Sequence, residues 1–188
     1  FMEAKIMKMA KKLLAVVLAG VMAVSMLTGC ALSDKVAEKK LLDTLNVYGK
    51  ADNVEYKSKK TVTISSVEYK LEDAASKIKS CVSDATIKDQ AVADVDTLKT
   101  KLAVAYATKD ATNSGKYVFV VCEEGKGNNA WSAAAKKAND TLKTAKTDST
   151  ASPKIIAVYA DAITAHIQMT GDTAAKDHNF VVIVAVKA

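Results

Sequence analysis

The chain has 188 residues, 49% of them apolar and 26% charged, with 7 Gly, 1 Pro and 3 Cys. That length suits one domain or two very small ones, and the composition excludes collagen-like, Pro-rich, disordered and disulfide-stapled classes. The formal charge of +6 comes from 27 basic residues, all Lys, against 21 acidic ones. Without Arg the chain lacks the bidentate fork that reads guanine and phosphate, so no nucleic-acid partner is expected.

The first feature in chain order is a leader. Lys5, Lys8, Lys11 and Lys12 precede a 15-residue apolar run, Leu13–Leu27, and Thr28-Gly29-Cys30 follow it. A helix spanning a bilayer needs about 20 residues, so the run is short for an anchor and has the length of a secretory h-region. Phe1 does not initiate translation; the start is expected at Met7 or Met9, with Met2 the remaining choice. The tetrad Leu27-Thr28-Gly29-Cys30 resembles the lipobox of bacterial lipoproteins. The resemblance rests on residues 5–30 and reaches no further. It implies that residues 1–29 are removed as a signal peptide. It implies also that Cys30 carries a diacylglyceryl group, and that the protein is held at the outer face of the bacterial cytoplasmic membrane. Four of the 27 lysines and one of the 21 acids (Glu3) precede Cys30, leaving 23 against 20 in the mature chain, close to balance.

Residues 30–188 are expected to form a single α+β domain. Only Ala31-Leu32-Ser33 separates Cys30 from a helical pattern, with Asp34 as cap, Val36, Leu41, Leu42, Leu45 and Tyr48 at helical spacing, and Gly49 as stop. Lys60–Ser65 alternates as a strand. Ser65 and Glu68 have capping-box spacing, which predicts a helix with Val67, Leu71, Ala74, Ile78 and Cys81 on one face.

A shift of about 64 residues repeats this pattern. Trp131, Ala135, Ala138, Leu142 and Ala145 fall on the positions of the helix just described, opened by Asn129. Ala91, Val92, Val95 and Leu98 then match Ile155, Ile156, Tyr159 and Ala162, a second helix that Ser152-Pro153 would open as cap and first residue. Lys101–Ala107 alternates and predicts a strand in a hairpin with Tyr117–Cys122. Tyr117–Cys122 matches Phe180–Ala185, and both runs are apolar on both faces, as central strands are. The expectation is an antiparallel or mixed sheet of four to five strands with helices packed on it. Two diverged helix-helix-strand-strand repeats, 67–122 and 131–185, would build it.

Chemistry is sparse. His166 alternates with Ile167 and Met169 and reads as a residue on the polar face of a strand. His178 falls beside Asp177 in the expected turn Gly171–Asn179. No pair has zinc-ligand spacing, and neither metal nor cofactor is expected. Cys81 and Cys122 sit at apolar positions, as two buried thiols or as a disulfide. The loop Glu123-Glu124-Gly125-Lys126-Gly127-Asn128-Asn129, ahead of Trp131, combines acids, amides and a helix N-terminus. Glu123, Glu124, Asn128, Asn129 and Trp131 are therefore the candidate binding residues, against the plainer reading of a linker. Lys57-Ser58-Lys59-Lys60 could touch anionic lipid near the anchor.

Three functions are consistent with these features. The first is a lipid-anchored, non-catalytic binding or interaction module of the cell envelope, with the membrane and a protein, wall or small-molecule ligand as partners. The second is an anchored hydrolase using His166, His178 and Asp177 or Glu123 and Glu124 as acid and base. The third is a small solute-capture lipoprotein.

Overall fold

Phe180–Val186 is an unbroken apolar and mostly β-branched run, and every residue in it is buried. The computed structural model describes residues 34–123, 128–147, 150 and 152–187. Helix α1 (Asp34–Gly49) leads through a short 3-10 turn into strand β1 (Val54–Ser58). A hairpin of β2 (Thr61–Ile64) and β3 (Val67–Lys70) follows, then α2 (Leu71–Cys81), the two-residue β4 (Ala91–Val92) and α3 (Val95–Lys109). Strand β5 (Tyr117–Glu123), α4 (Asn128–Leu142), β6 (Lys154–Met169) and β7 (Lys176–Val186) complete the described chain.

The main sheet is mixed, in the order β1-β6-β7-β5. β7 pairs antiparallel with β6, from Val158 opposite Ala185 to Ile167 opposite Lys176, and antiparallel with β5 on its other side, from Tyr117 opposite Val186 to Glu123 opposite Phe180. β1 runs parallel to the start of β6, with Tyr56 level with Ile156, and β4 runs parallel to its end. Side chains alternate between two cores, as the period of two demands. Phe180, Val182, Val184 and Val186 join a layer formed with α2, α3 and the hairpin. Val181, Ile183 and Ala185 join a layer formed with α1 and α4. Helices therefore cover both faces, which is why β7 carries no polar residue from Phe180 onward.

The outer edge of β1 is closed by α1. The Asn46 side chain donates from Nδ2 to the Tyr56 carbonyl at 3.1 Å and accepts the Tyr56 N–H on Oδ1 at 2.7 Å, taking the place of a neighbouring strand. That approach needs a small residue at the end of α1. A Cβ on Gly49 would lie 2.7 Å from the Val54 carbonyl oxygen and 2.9 Å from the Tyr56 ring. Gly49 has ordinary helical torsions (φ −56, ψ −31), so Gly49→Ala would gain about 1 kcal/mol of helix propensity if space allowed. Overpacking against backbone costs about 1–3 kcal/mol and wins. Gly49→Ala is expected to lower the urea midpoint, and an unchanged or higher midpoint would mean that β1 can move away freely.

Several expectations are corrected. Val67 does not lie on a helix. It ends a two-residue hairpin loop, Ser65-Ser66, whose φ values of 50 and 66 give the mirror-image turn that twisted hairpins favour. The helix begins at Leu71, and from there the predicted face holds: Leu71, Ala74, Ile78 and Cys81 are all buried. Lys101–Ala107 is not a strand but the second half of α3. Leu98, Leu102, Ala105 and Tyr106 are buried at helical spacing and Val104 is 60% exposed. Asp94 caps this helix by accepting the Thr97 N–H at 2.7 Å. Residues 152–163 are not a helix but the first part of β6. Pro153 precedes the ladder, where its missing N–H costs nothing.

The repeats fall with these corrections. Residues 67–122 run strand, helix, strand, helix, strand, whereas 131–185 run helix, strand, strand.

Candidate functional site

The two histidines are placed on opposite faces of the sheet. His166 and Asp177 are partners across β6 and β7, and His166 Nδ1 lies 2.8 Å from Asp177 Oδ1, with both side chains largely exposed. Beside them Thr164 donates to Asn179 Oδ1 at 2.8 Å, continuing an exposed polar ladder across β6 and β7. His178 is not in a turn. It lies in β7 level with Ala165, on the other face, 12% exposed, with Nε2 2.7 Å from Asp172 Oδ2. Of the acid–base set of the hydrolase reading, His166 meets Asp177 while His178 takes Asp172, so the two histidines do not converge on one carboxylate. Among the described residues no cluster of His, Cys, Asp and Glu could hold a metal ion.

Asp172 is the centre of the cluster that closes the β6–β7 connection. Its carboxylate accepts from Lys176 Nζ at 2.6 Å, from the Met169 N–H at 2.9 Å and from His178. The Lys176 ammonium, with the Met169 N–H and the His178 ring adding to it, holds the carboxyl down to about 2. A carboxyl that is more acidic folded than unfolded stabilises the fold above its unfolded value near 4, and that contribution disappears as pH falls toward the folded value. Asp110 shifts the same way, first through Lys77, and the cap residue Asp94 does so through the Thr97 N–H. The melting temperature is expected to hold from neutrality to about pH 5 and to drop between about pH 4 and 2. Asp172→Asn should flatten part of that drop, and an identical acid profile in the variant would remove Asp172 from the explanation.

The cysteines are also separated by the sheet. Cys81 belongs to the α2–α3 layer and Cys122 to the α1–α4 layer, and both are free and buried. The disulfide alternative has no geometry. Burial pushes both thiols up, Cys122 to about 12, so neither is a ready nucleophile.

Of the candidate binding loop, Glu124 lies outside the described residues, and Glu123, Asn128, Asn129 and Trp131 are described only as backbone at the end of β5 and the start of α4. Cys30 also lies outside them. No helix of the described residues is long and apolar enough to cross a membrane.

A groove that sequence reasoning did not assemble lies on the α2–α3 face of the β1–β6 edge. It measures about 200 Å³. Ile155 and Ala157 of β6 form its floor, Val62 and Ile64 of the hairpin one wall, and Lys57, Lys59 and Lys146 its rim. Lys57 and Lys59 stand out in the sequence as a basic run. Ile155 and Ala157 do not, because that segment reads as a helix, and nothing in the sequence joins Lys146 to them. A second, smaller pocket between α1 and the sheet holds no such charge; among its lining residues only Glu38 is ionisable.

No family model matches the chain, and neither a curated protein nor a solved structure matches it.

Proposed function

We propose that the protein is a lipid-anchored extracytoplasmic lipoprotein whose mature domain is a non-catalytic binding or interaction module of the cell envelope. One observation carries the anchor: a lysine-rich start, a 15-residue apolar run and the tetrad Leu27-Thr28-Gly29-Cys30 occur in the order and spacing that lipidation and cleavage require. The binding role is supported by the placement of the titratable groups. The histidines lie on opposite faces and each is engaged by its own aspartate, while the basic, apolar-floored groove offers contacts rather than chemistry.

The test is mass spectrometry of the membrane fraction. Wild-type protein should yield an N-terminal peptide beginning at Cys30 with a diacylglyceryl group on its sulfur. Cys30→Ser should carry no lipid and should accumulate as uncut precursor or appear in the soluble fraction. An unmodified Cys30 in the wild type would overturn the reading.

A further inference from the structure

We propose that the Lys57–Lys59–Lys146 groove seats the headgroup of an anionic phospholipid in the leaflet that holds the anchor. The inference rests on the lipoprotein reading for its geometry, and on the groove itself for its chemistry.

The geometry comes from the contact between α1 and β1. Ser58, the last residue of β1, donates its hydroxyl to the Glu38 carboxylate. The first turns of α1 are thereby held against the end of β1 where Lys57 and Lys59 lie. Cys30 is four residues before Asp34, and four residues of fully extended chain reach at most about 14 Å. An anchor at Cys30 therefore brings the end of β1 toward the bilayer surface, with Ser58 turned to the α1 face and Lys57 to the opposite face that carries the groove.

The chemistry comes from the groove. An apolar floor and wall, Ile155, Ala157 and Val62, stand beneath three exposed lysine side chains. Glu55, 3.5 Å from the Lys57 ammonium, offsets one of the three charges and leaves the rim cationic. The groove, about 200 Å³, is far too small for a whole lipid and offers room for a headgroup only. A phosphate at the rim meets the lysines as point charges, and the glycerol and first methylenes cover the apolar floor. A solvated charge run would have no such floor.

The probe is the chain from residue 30 onward carrying Cys30→Ser, which contains every described element and has no lipid of its own. It is tested by flotation with vesicles of phosphatidylcholine alone and of phosphatidylcholine with phosphatidylglycerol, at low and at high salt. Binding is expected only to the phosphatidylglycerol vesicles and should weaken as salt shortens the screening length. The triple variant Lys57→Glu, Lys59→Glu, Lys146→Glu should bind at least about 100-fold more weakly, since a lysine near an anionic surface contributes about fivefold and reversal adds repulsion. A control with the same net charge, Lys88→Glu, Lys99→Glu, Lys136→Glu, should stay within about threefold of the parent, because these lysines lie away from the groove. Absence of binding, equal binding to both vesicles, or an equal loss in the control would overturn the proposal. None of those results bears on the anchor, which is read on wild-type Cys30 by mass spectrometry.

Discussion

Ile183→Ala is expected to lower the free energy of unfolding by about 2–5 kcal/mol, through lost transfer energy and the cavity left behind. Ile183 is fully buried at the middle of β7, level with Val120 of β5 on one side and Ala160 of β6 on the other. Its side chain points into the α1–α4 layer with Leu41, Leu45 and Leu142. A domain of this size has about 5–15 kcal/mol in all, so one such change consumes a large fraction of it. Urea melts should show a lower midpoint with an unchanged slope. Lys136→Ala, at an exposed position on α4, is the comparison and should cost under about 0.5 kcal/mol. Lys176 would be a poor comparison despite its exposure, because its ammonium holds Asp172 at 2.6 Å. Equal small losses at 183 and 136 would mean that β7 is not the central strand.

The second large effect is expected at Asn139, a buried polar residue of α4 that is 2% exposed. Tyr56 Oη donates to Asn139 Oδ1 at 2.6 Å, and Asn139 Nδ2 donates to Asp52 Oδ2 at 2.7 Å. The amide thus joins β1, the 3-10 turn after α1, and α4 through one side chain. Burial keeps the Tyr56 phenol protonated far above its ordinary range, with Asp52 and Asp140 adding to the effect, so it acts here only as a donor. Asn139→Ala leaves the buried hydroxyl without its short bond, at a cost of about 1–3 kcal/mol for that group alone. Adding Tyr56→Phe to Asn139→Ala should cost less than Tyr56→Phe costs in the wild type, because a stranded hydroxyl is then removed rather than a satisfied one. Strictly additive losses would show that the two side chains do not depend on each other.

The fold class was legible in the sequence, and so were the parts of it with a strong period and no competing pattern. Phe180–Val186 and Tyr117–Cys122 are β-branched or aromatic on both faces, and they pair with each other at the centre and edge of the sheet. The α1 helix and the Leu71–Cys81 face follow from 3.6-residue spacing with few β-branched residues. Two of the failures share one cause. In 101–107 and 152–163 alanines stand between the large residues, and alanine fits the buried face of a helix or of a strand equally well. Leu102, Val104 and Tyr106 alternate like a strand, yet Ala105 takes the buried place that a helix requires while Val104 is left in water. The repeat was an artefact of the same ambiguity.

The candidate sites divide along the same line. Local features could be read: the basic run at Lys57–Lys60 and the polar placement of His166. Features made by long-range pairing could not. The register of β6 against β7 sends His166 to Asp177, and the β6–β7 connection brings Asp172 to His178, although Asp177 and His178 are neighbours in the chain. The parallel pairing of β1 with β6 brings Lys57 level with Ala157, and Lys146 joins them through its N–H bond to the Val186 carbonyl at 2.8 Å. By itself the sequence determined the helical and strand segments whose period is unambiguous, because that period is written in adjacent residues. Which face each histidine, cysteine and lysine occupies was decided only by the tertiary structure, because a shift of one residue in strand register moves every side chain to the opposite face.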